Sequence, residues 1–235
     1  MENSNIKKPK TKSPDVKKMV GIAVFSALAF GVTFVFRIPV SFLTFDAKDA
    51  VIAVASFIYG PLSAVIISFL TALIEFITIS DTGIYGALMN FFASCAFSFT
   101  ASFIYKFRRT FSGAIIGIYT AVVLTTGVMM VMNIFITPLY MGVDRAAVIS
   151  LLPKLLLPFN FAKALMNASI VMIIYKPVVT AMRRAGLISA RSIRIEQPTV
   201  KEASNSMLNK KAILTLIVGI ATLAIAVTIF VILKK

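Results

Sequence analysis

The chain has 235 residues, of which 59% are hydrophobic and only 14% charged. A soluble domain carries about a quarter charged residues, so the composition excludes a soluble enzyme or scaffold and indicates a polytopic, all-α integral membrane protein. Its net charge of +15 would suit a polyanion, but the lysines and arginines stand at the ends of apolar runs. There they act as topology signals, and no nucleic-acid partner is expected.

In chain order, residues 1–17 are polar and basic and read as a disordered cytoplasmic tail, too long and polar for a signal peptide. The first apolar run, Met19 to Phe36, lies between Lys18 and Arg37 and is long enough to cross a bilayer. An outer loop follows, "RIPVSFLTFDAKD". The next run, Ala50 to Ile79, is broken at Gly60-Pro61. As one helix it would measure ~45 Å, too long for the ~30 Å hydrocarbon core, so two helices hinged at Gly-Pro fit better. A fourth span, Ile84 to Tyr105, ends at "KFRR", and a fifth runs from Gly113 to Ile136. Residues 137–157 hold Pro138, Asp144, Pro153 and Lys154 and read as an outer loop with some helix. The sixth span runs from Pro158 to Tyr175. A basic polar linker, 185–211, then leads to an uncharged seventh span, Ala212 to Leu233. With the N-terminus cytoplasmic, 17 lysines and arginines fall inside and 4 outside (Arg37, Lys48, Arg145 and Lys154). That asymmetry is the one expected of cytoplasmic loops. The scheme also places Lys234 and Lys235 outside, against that trend.

Polar residues within the spans carry whatever chemistry the chain has. Asn160, Lys163 and Asn167 fall at i, i+3 and i+7 of the sixth span and share one helical face. Lysine in a bilayer costs roughly 3 kcal/mol, so Lys163 either snorkels to the outer interface or serves a site. Amides offer donors and acceptors and lysine donors only; together they suit a planar, amide-like ligand edge. Glu75, near the outer end of the third span, is a candidate for the site or an ion-pair partner for Lys163. Asn90 and Asn133 read equally as helix-packing amides or as site residues. Asp46 and Asp49 are candidate caps of the second helix, with capping favoured for Asp49. "FLTFD", Phe42 to Asp46, places Thr44, Phe45 and Asp46 where they can close over a ligand. Ala23 and Ala27, four apart in the first span, allow close approach of a second helix. The chain has no histidine, so His-based triads and HExxH zinc sites are absent. Lone Cys95 cannot form an internal disulfide and reads as a small buried apolar residue. With no GxxxxGK[ST], the chain cannot hydrolyse ATP through a P-loop.

The Gly-Pro break, the Ala-x-x-x-Ala spacing and "LPFNFAK" at the sixth span resemble the S components of energy-coupling factor (ECF) vitamin transporters. "FDAKD", "YGPLSAV", "MNFF" and "MNIFITPLY" follow the riboflavin-binding type in order and approximate spacing, so the resemblance covers Lys18 to Arg184. It implies a six-helix membrane domain over 18–184 that is not an enzyme and holds no cofactor. Such a subunit captures riboflavin or FMN as transported ligand at the outer face of the cell membrane. Release inside would follow toppling of the subunit, driven by a T component and two ATPase subunits. By motif, Asn160 and Lys163 would contact the isoalloxazine ring, Asn133 and Asn90 would complete the polar site, "FLTFD" would close over it, and Ala23 and Ala27 would face the T component.

The linker and the seventh helix (212–235) lie outside that pattern. Three other readings stand beside it. The first is an S component for another vitamin, such as folate, pantothenate or thiamin. The second is a scaffold subunit, which predicts a Glu75–Lys163 ion pair and no cavity near the outer face. The third is an independent secondary carrier.

Overall fold

The computed structural model describes residues 16–108, 110–184 and 206–234. The expected N-terminal tail up to residue 15 and the linker over 185–205 lie outside the described residues. The elements in order are α1 (Val16–Val35), the strands β1 (Ile38–Val40) and β2 (Leu43–Phe45), and α2 (Lys48–Tyr59). Then come α3 (Pro61–Thr78), α4 (Gly83–Phe107), α5 (Phe111–Met141), α6 (Arg145–Leu151), a π-helical turn (Leu152–Leu156), α7 (Leu157–Arg184) and α8 (Ser206–Lys234). Among the described residues six helices are long and apolar enough to cross a membrane, and α8 is one of them.

The Gly60-Pro61 break divides α2 from α3 as expected. Gly60 takes φ 96° and ψ 169°, a conformation nearly closed to residues with a Cβ, and Pro61 opens α3, where its missing N–H costs nothing. The division is unequal. At 12 residues α2 measures only ~18 Å, shorter than the ~30 Å hydrocarbon core. It survives because 11 of its 12 residues, from Lys48 to Ile58, are buried. α1, α3, α4 and α7 pack around it.

The loop after α1 is a β-hairpin rather than irregular chain. Ile38 pairs with Phe45, Pro39 with Thr44 and Val40 with Leu43, antiparallel. Ser41 supplies the positive φ (54°) of the two-residue turn, without the Asn-Gly or Asp-Gly pair that marks such turns in sequence.

The segment 137–157, expected as an outer loop, is more helical than its prolines suggest. α5 runs through Pro138 to Met141, and Gly142, at φ 64°, ends it by donating its N–H to Pro138 O. α6 and the π-turn then lead directly into α7, which begins at Leu157, one residue before the expected start, and continues past Pro177 to Arg184.

Close packing is clearest between α4 and α5. A Cβ on Gly117 would stand 2.6 Å from Ala101 O, the small-residue contact that lets membrane helices approach. Many buried hydroxyls satisfy themselves on their own helix: Ser26 donates to Ile22 O, Thr33 to Ala29 O and Thr126 to Val122 O. Near the end of α2 away from the hairpin, the Tyr105 and Tyr175 hydroxyls are 2.9 Å apart beside Phe57.

α8 lies along α7. The Ser169 and Thr222 hydroxyls meet at 2.7 Å, Gly219 sits against Met172 and Ile173, and Phe230 packs on Phe45 of the hairpin. α8 is therefore antiparallel to α7, with its C-terminal end at the hairpin.

Candidate functional site

At the hairpin end of the bundle is a cavity of about 560 Å³, within the range of small-molecule sites. The hairpin forms one side through Pro39 and Ser41 to Thr44. Helix ends form the rest, with Thr33 from α1, Glu75 and Phe76 from α3, Met89 and Asn90 from α4, Met129, Asn133 and Tyr140 from α5, and Phe159, Asn160 and Lys163 from α7.

Seven of the expected site residues meet in this wall: Thr44, Asp46, Glu75, Asn90, Asn133, Asn160 and Lys163. Phe45 and Asn167 do not belong to it. Phe45 is buried against Phe159 and Phe230 and alternates along the chain with Thr44 and Asp46, which line the cavity. Asn167 is fully buried and committed at both ends of its amide. Its Oδ1 accepts the Ala50 N–H at 2.8 Å, and its Nδ2 donates to Asp46 O at 3.1 Å and Lys163 O at 3.0 Å. Asn167 thus fixes where the hairpin turns into α2.

The ion pairing departs from the sequence expectation. Glu75 does not meet Lys163. Lys163 Nζ donates to Asp46 Oδ2 at 2.8 Å and to Thr44 O at 3.3 Å. The partner of Glu75 is Lys48, whose Nζ donates to both carboxylate oxygens at 2.9 and 2.7 Å, and Asn90 Nδ2 adds a bond to Oε2 at 2.9 Å. Lys48 also stands 3.7 Å from Asp46. Counted from sequence as an outer-loop charge, Lys48 is 1% exposed and joins the two acids from below. Burial pushes the Asp46 carboxyl up, but Lys163 and Lys48 beside it outweigh that effect and hold it below the usual carboxylate range.

Asp49 is not the cap of α2. It lies inside the first turn and accepts a hydrogen bond from Ser94 Oγ at 2.5 Å. The group nearest to a cap is Asp46, whose Oδ1 accepts the Lys48 N–H at a long 3.4 Å.

The amides keep spare capacity. Asn160 Nδ2 donates to Leu156 O at 2.8 Å. Asn133 Nδ2 donates to Met129 O at 2.6 Å, and its Oδ1 accepts from Thr137 at 2.9 Å. Each still has hydrogen-bonding capacity for a ligand, since an amide has two N–H donors and a two-lone-pair acceptor.

Arg37, Asp81 and Tyr140 line the cavity without having been expected there. Arg37 Nη1 donates to Ile79 O at 2.7 Å and Nη2 to Asp81 Oδ2 at 2.6 Å, tying the chain before β1 to the end of α3. The available signal was opposite charges just beyond the first and third spans. The Ala23 and Ala27 side chains are exposed on α1 and touch no other helix closely enough to be buried.

Among the described residues, long apolar helices and a ligand-sized cavity with polar side chains in its wall define a multi-pass membrane protein. Residues 17–178 match the family model for the ECF transporter, substrate-specific component, and the chain belongs to that family. It is similar to the riboflavin transporter RibU of Staphylococcus aureus (strain TCH60), with 28% identity over 72% of this chain and 93% of that protein. It is also similar to the riboflavin transporter FmnP of Bacillus subtilis (strain 168), at 25% identity over 72% of this chain and 97% of that one. A solved structure of the S component of a bacterial ECF transporter superposes with a TM-score of 0.62 at 27% identity, covering 72% of this chain and 99% of its own. The family match stops before α8.

Proposed function

We propose that this S component binds a flavin, riboflavin or FMN, in the cavity at the hairpin end, and delivers it inward when coupled to a T component and two ATPase subunits. The observation that carries the reading is the makeup of the wall. Asn90, Asn133 and Asn160 supply amides, and each wall cation is already matched to a carboxylate, Lys163 to Asp46 and Arg37 to Asp81. Such a wall suits a neutral, planar ring with two carbonyls and an imide N–H, and Phe76, Phe159, Met89 and Met129 offer surface for its apolar end. The names of both relatives point to the same ligand.

The scaffold alternative required a Glu75–Lys163 pair and no cavity; the pairing and the cavity described above argue against it. The charge asymmetry of the loops supports a cytoplasmic N-terminus, which puts the cavity at the outer face. The exposed Ala23 and Ala27 of α1 suit a close helix contact with the T component. ATP hydrolysis is assigned to the partners, and this subunit carries no catalytic step and no resident cofactor. The test is the absorbance spectrum of the purified protein, followed by fluorescence titration with riboflavin, FMN, folate, pantothenate and thiamin. Flavin bands that co-purify, with saturable quenching by riboflavin, support the reading. Saturable binding of a different vitamin alone would replace the flavin.

A further inference from the structure

We propose that Phe230 of α8 is a positioning residue for the ligand cavity, seating strand β2 from the side opposite the ligand. Phe45 lies between Thr44 and Asp46, the two residues whose oxygens accept from Lys163. On its other side Phe45 meets two rings, Phe159 of α7 with centroids 6.2 Å apart and Phe230 of α8 at 4.9 Å. Lys163 therefore draws the strand toward α7 by charge, while Phe230 backs it by apolar contact.

α8 is held in register for this. It presents Gly219, Thr222, Ala226 and Phe230 at spacings of three and four, one helical stripe. Gly219 faces α7, Thr222 bonds Ser169, and Ala226 is 0% exposed. Away from this stripe α8 exposes apolar side chains, including Ile217, Val227 and Val231. A helix retained only as an anchor has no need of a ring against the hairpin. The family match ends at residue 178, so this backing is an addition of this chain to the shared bundle. A closed hairpin that is backed on both sides opens less often, and the expected effect is slower exchange of ligand.

The inference rests on the flavin reading for its ligand arm only. Full-length protein and its Phe230→Ala variant would be compared without ligand by amide hydrogen exchange over residues 38–46, and with riboflavin by stopped-flow release. Removing one aromatic contact is expected to speed both about three- to ten-fold, while amides of α2 keep their protection. Phe230→Leu, which keeps apolar bulk but loses the ring pair, should fall between wild type and Phe230→Ala, and Val227→Ala, on the exposed face, should change neither. Unchanged hairpin exchange in Phe230→Ala overturns the proposal, as does loss of α2 protection in step with the hairpin, which would make α8 a general support. Where wild-type protein fails to bind riboflavin, the functional reading falls and the exchange comparison still decides this one.

Discussion

Replacing Lys163 with methionine keeps the length of the stem and removes the ammonium. Asp46 then loses its 2.8 Å partner and keeps only Lys48, at 3.7 Å. Breaking a buried pair from one side costs ~3–5 kcal/mol because the other charge is left uncompensated. The remaining lysine places Lys163→Met at the lower end, about 3 kcal/mol. For a chain of this size that lowers the melting midpoint by about 6–12 °C. A charge-assisted hydrogen bond to the ligand is worth ~1.5–3 kcal/mol, so riboflavin affinity should fall by about 10- to 150-fold. Adding Asp46→Asn removes the orphaned charge. The double variant should regain most of the lost stability without regaining affinity. Thermal unfolding in detergent and flavin-fluorescence titration read the two quantities separately. A single variant that melts like the wild type, or a double variant no more stable than the single, would refute the pairing argument.

Asn160→Ala should weaken riboflavin about 3- to 10-fold, the worth of one neutral hydrogen bond. Its melting midpoint should barely move, because Asn160 bonds within its own chain turn at Leu156 O; an unchanged Kd counts against the site. Gly60→Ala should cost ~1–3 kcal/mol in unfolding through backbone strain alone, since nothing lies within 4 Å of the added Cβ. The contribution of Asp46 to stability has a definite pH window. Its folded pKa lies below the reference value of 3.8, so its stabilisation is complete above that value and lost as pH falls through the folded pKa. The stability gap between wild type and Asp46→Asn should then stay constant from about pH 8 to about pH 5 and close only in stronger acid; a gap closing near neutrality would refute the assignment.

Much of this was legible because a membrane penalises polar groups and so exposes them in the sequence. Asn160, Lys163, Glu75 and Asn133 stand out against apolar neighbours, and each reaches the cavity wall. Which acid meets which lysine was not legible. Glu75 and Lys163 lie at the same end of the bundle, yet Lys48 takes Glu75 because α2 sits beside α3. That adjacency is a property of packing, and spacing along the chain does not encode it. Lys48 itself looked like any loop charge, since a 12-residue helix wholly surrounded by protein has no lipid-facing stripe to announce it. The hairpin was hidden for a different reason: its turn uses Ser41 and Phe42 and no glycine. Asn167 gave the right helical face and the wrong target, because periodicity places a side chain on a face without saying how deep its partners lie.

The amide of Asn167 also sets an order of events during synthesis. The N–H it accepts belongs to Ala50, 117 positions earlier in the chain. When α2 emerges from the ribosome, neither this acceptor nor the lysine that holds Asp46 exists yet. A helix of ~18 Å with a charged start has to wait, attached to α3 through Gly60-Pro61, until α7 arrives to enclose it. Substitutions in α7 should therefore deplete the protein during biogenesis as well as weaken its ligand. Pulse-chase stability of nascent chains is where that cost would be seen.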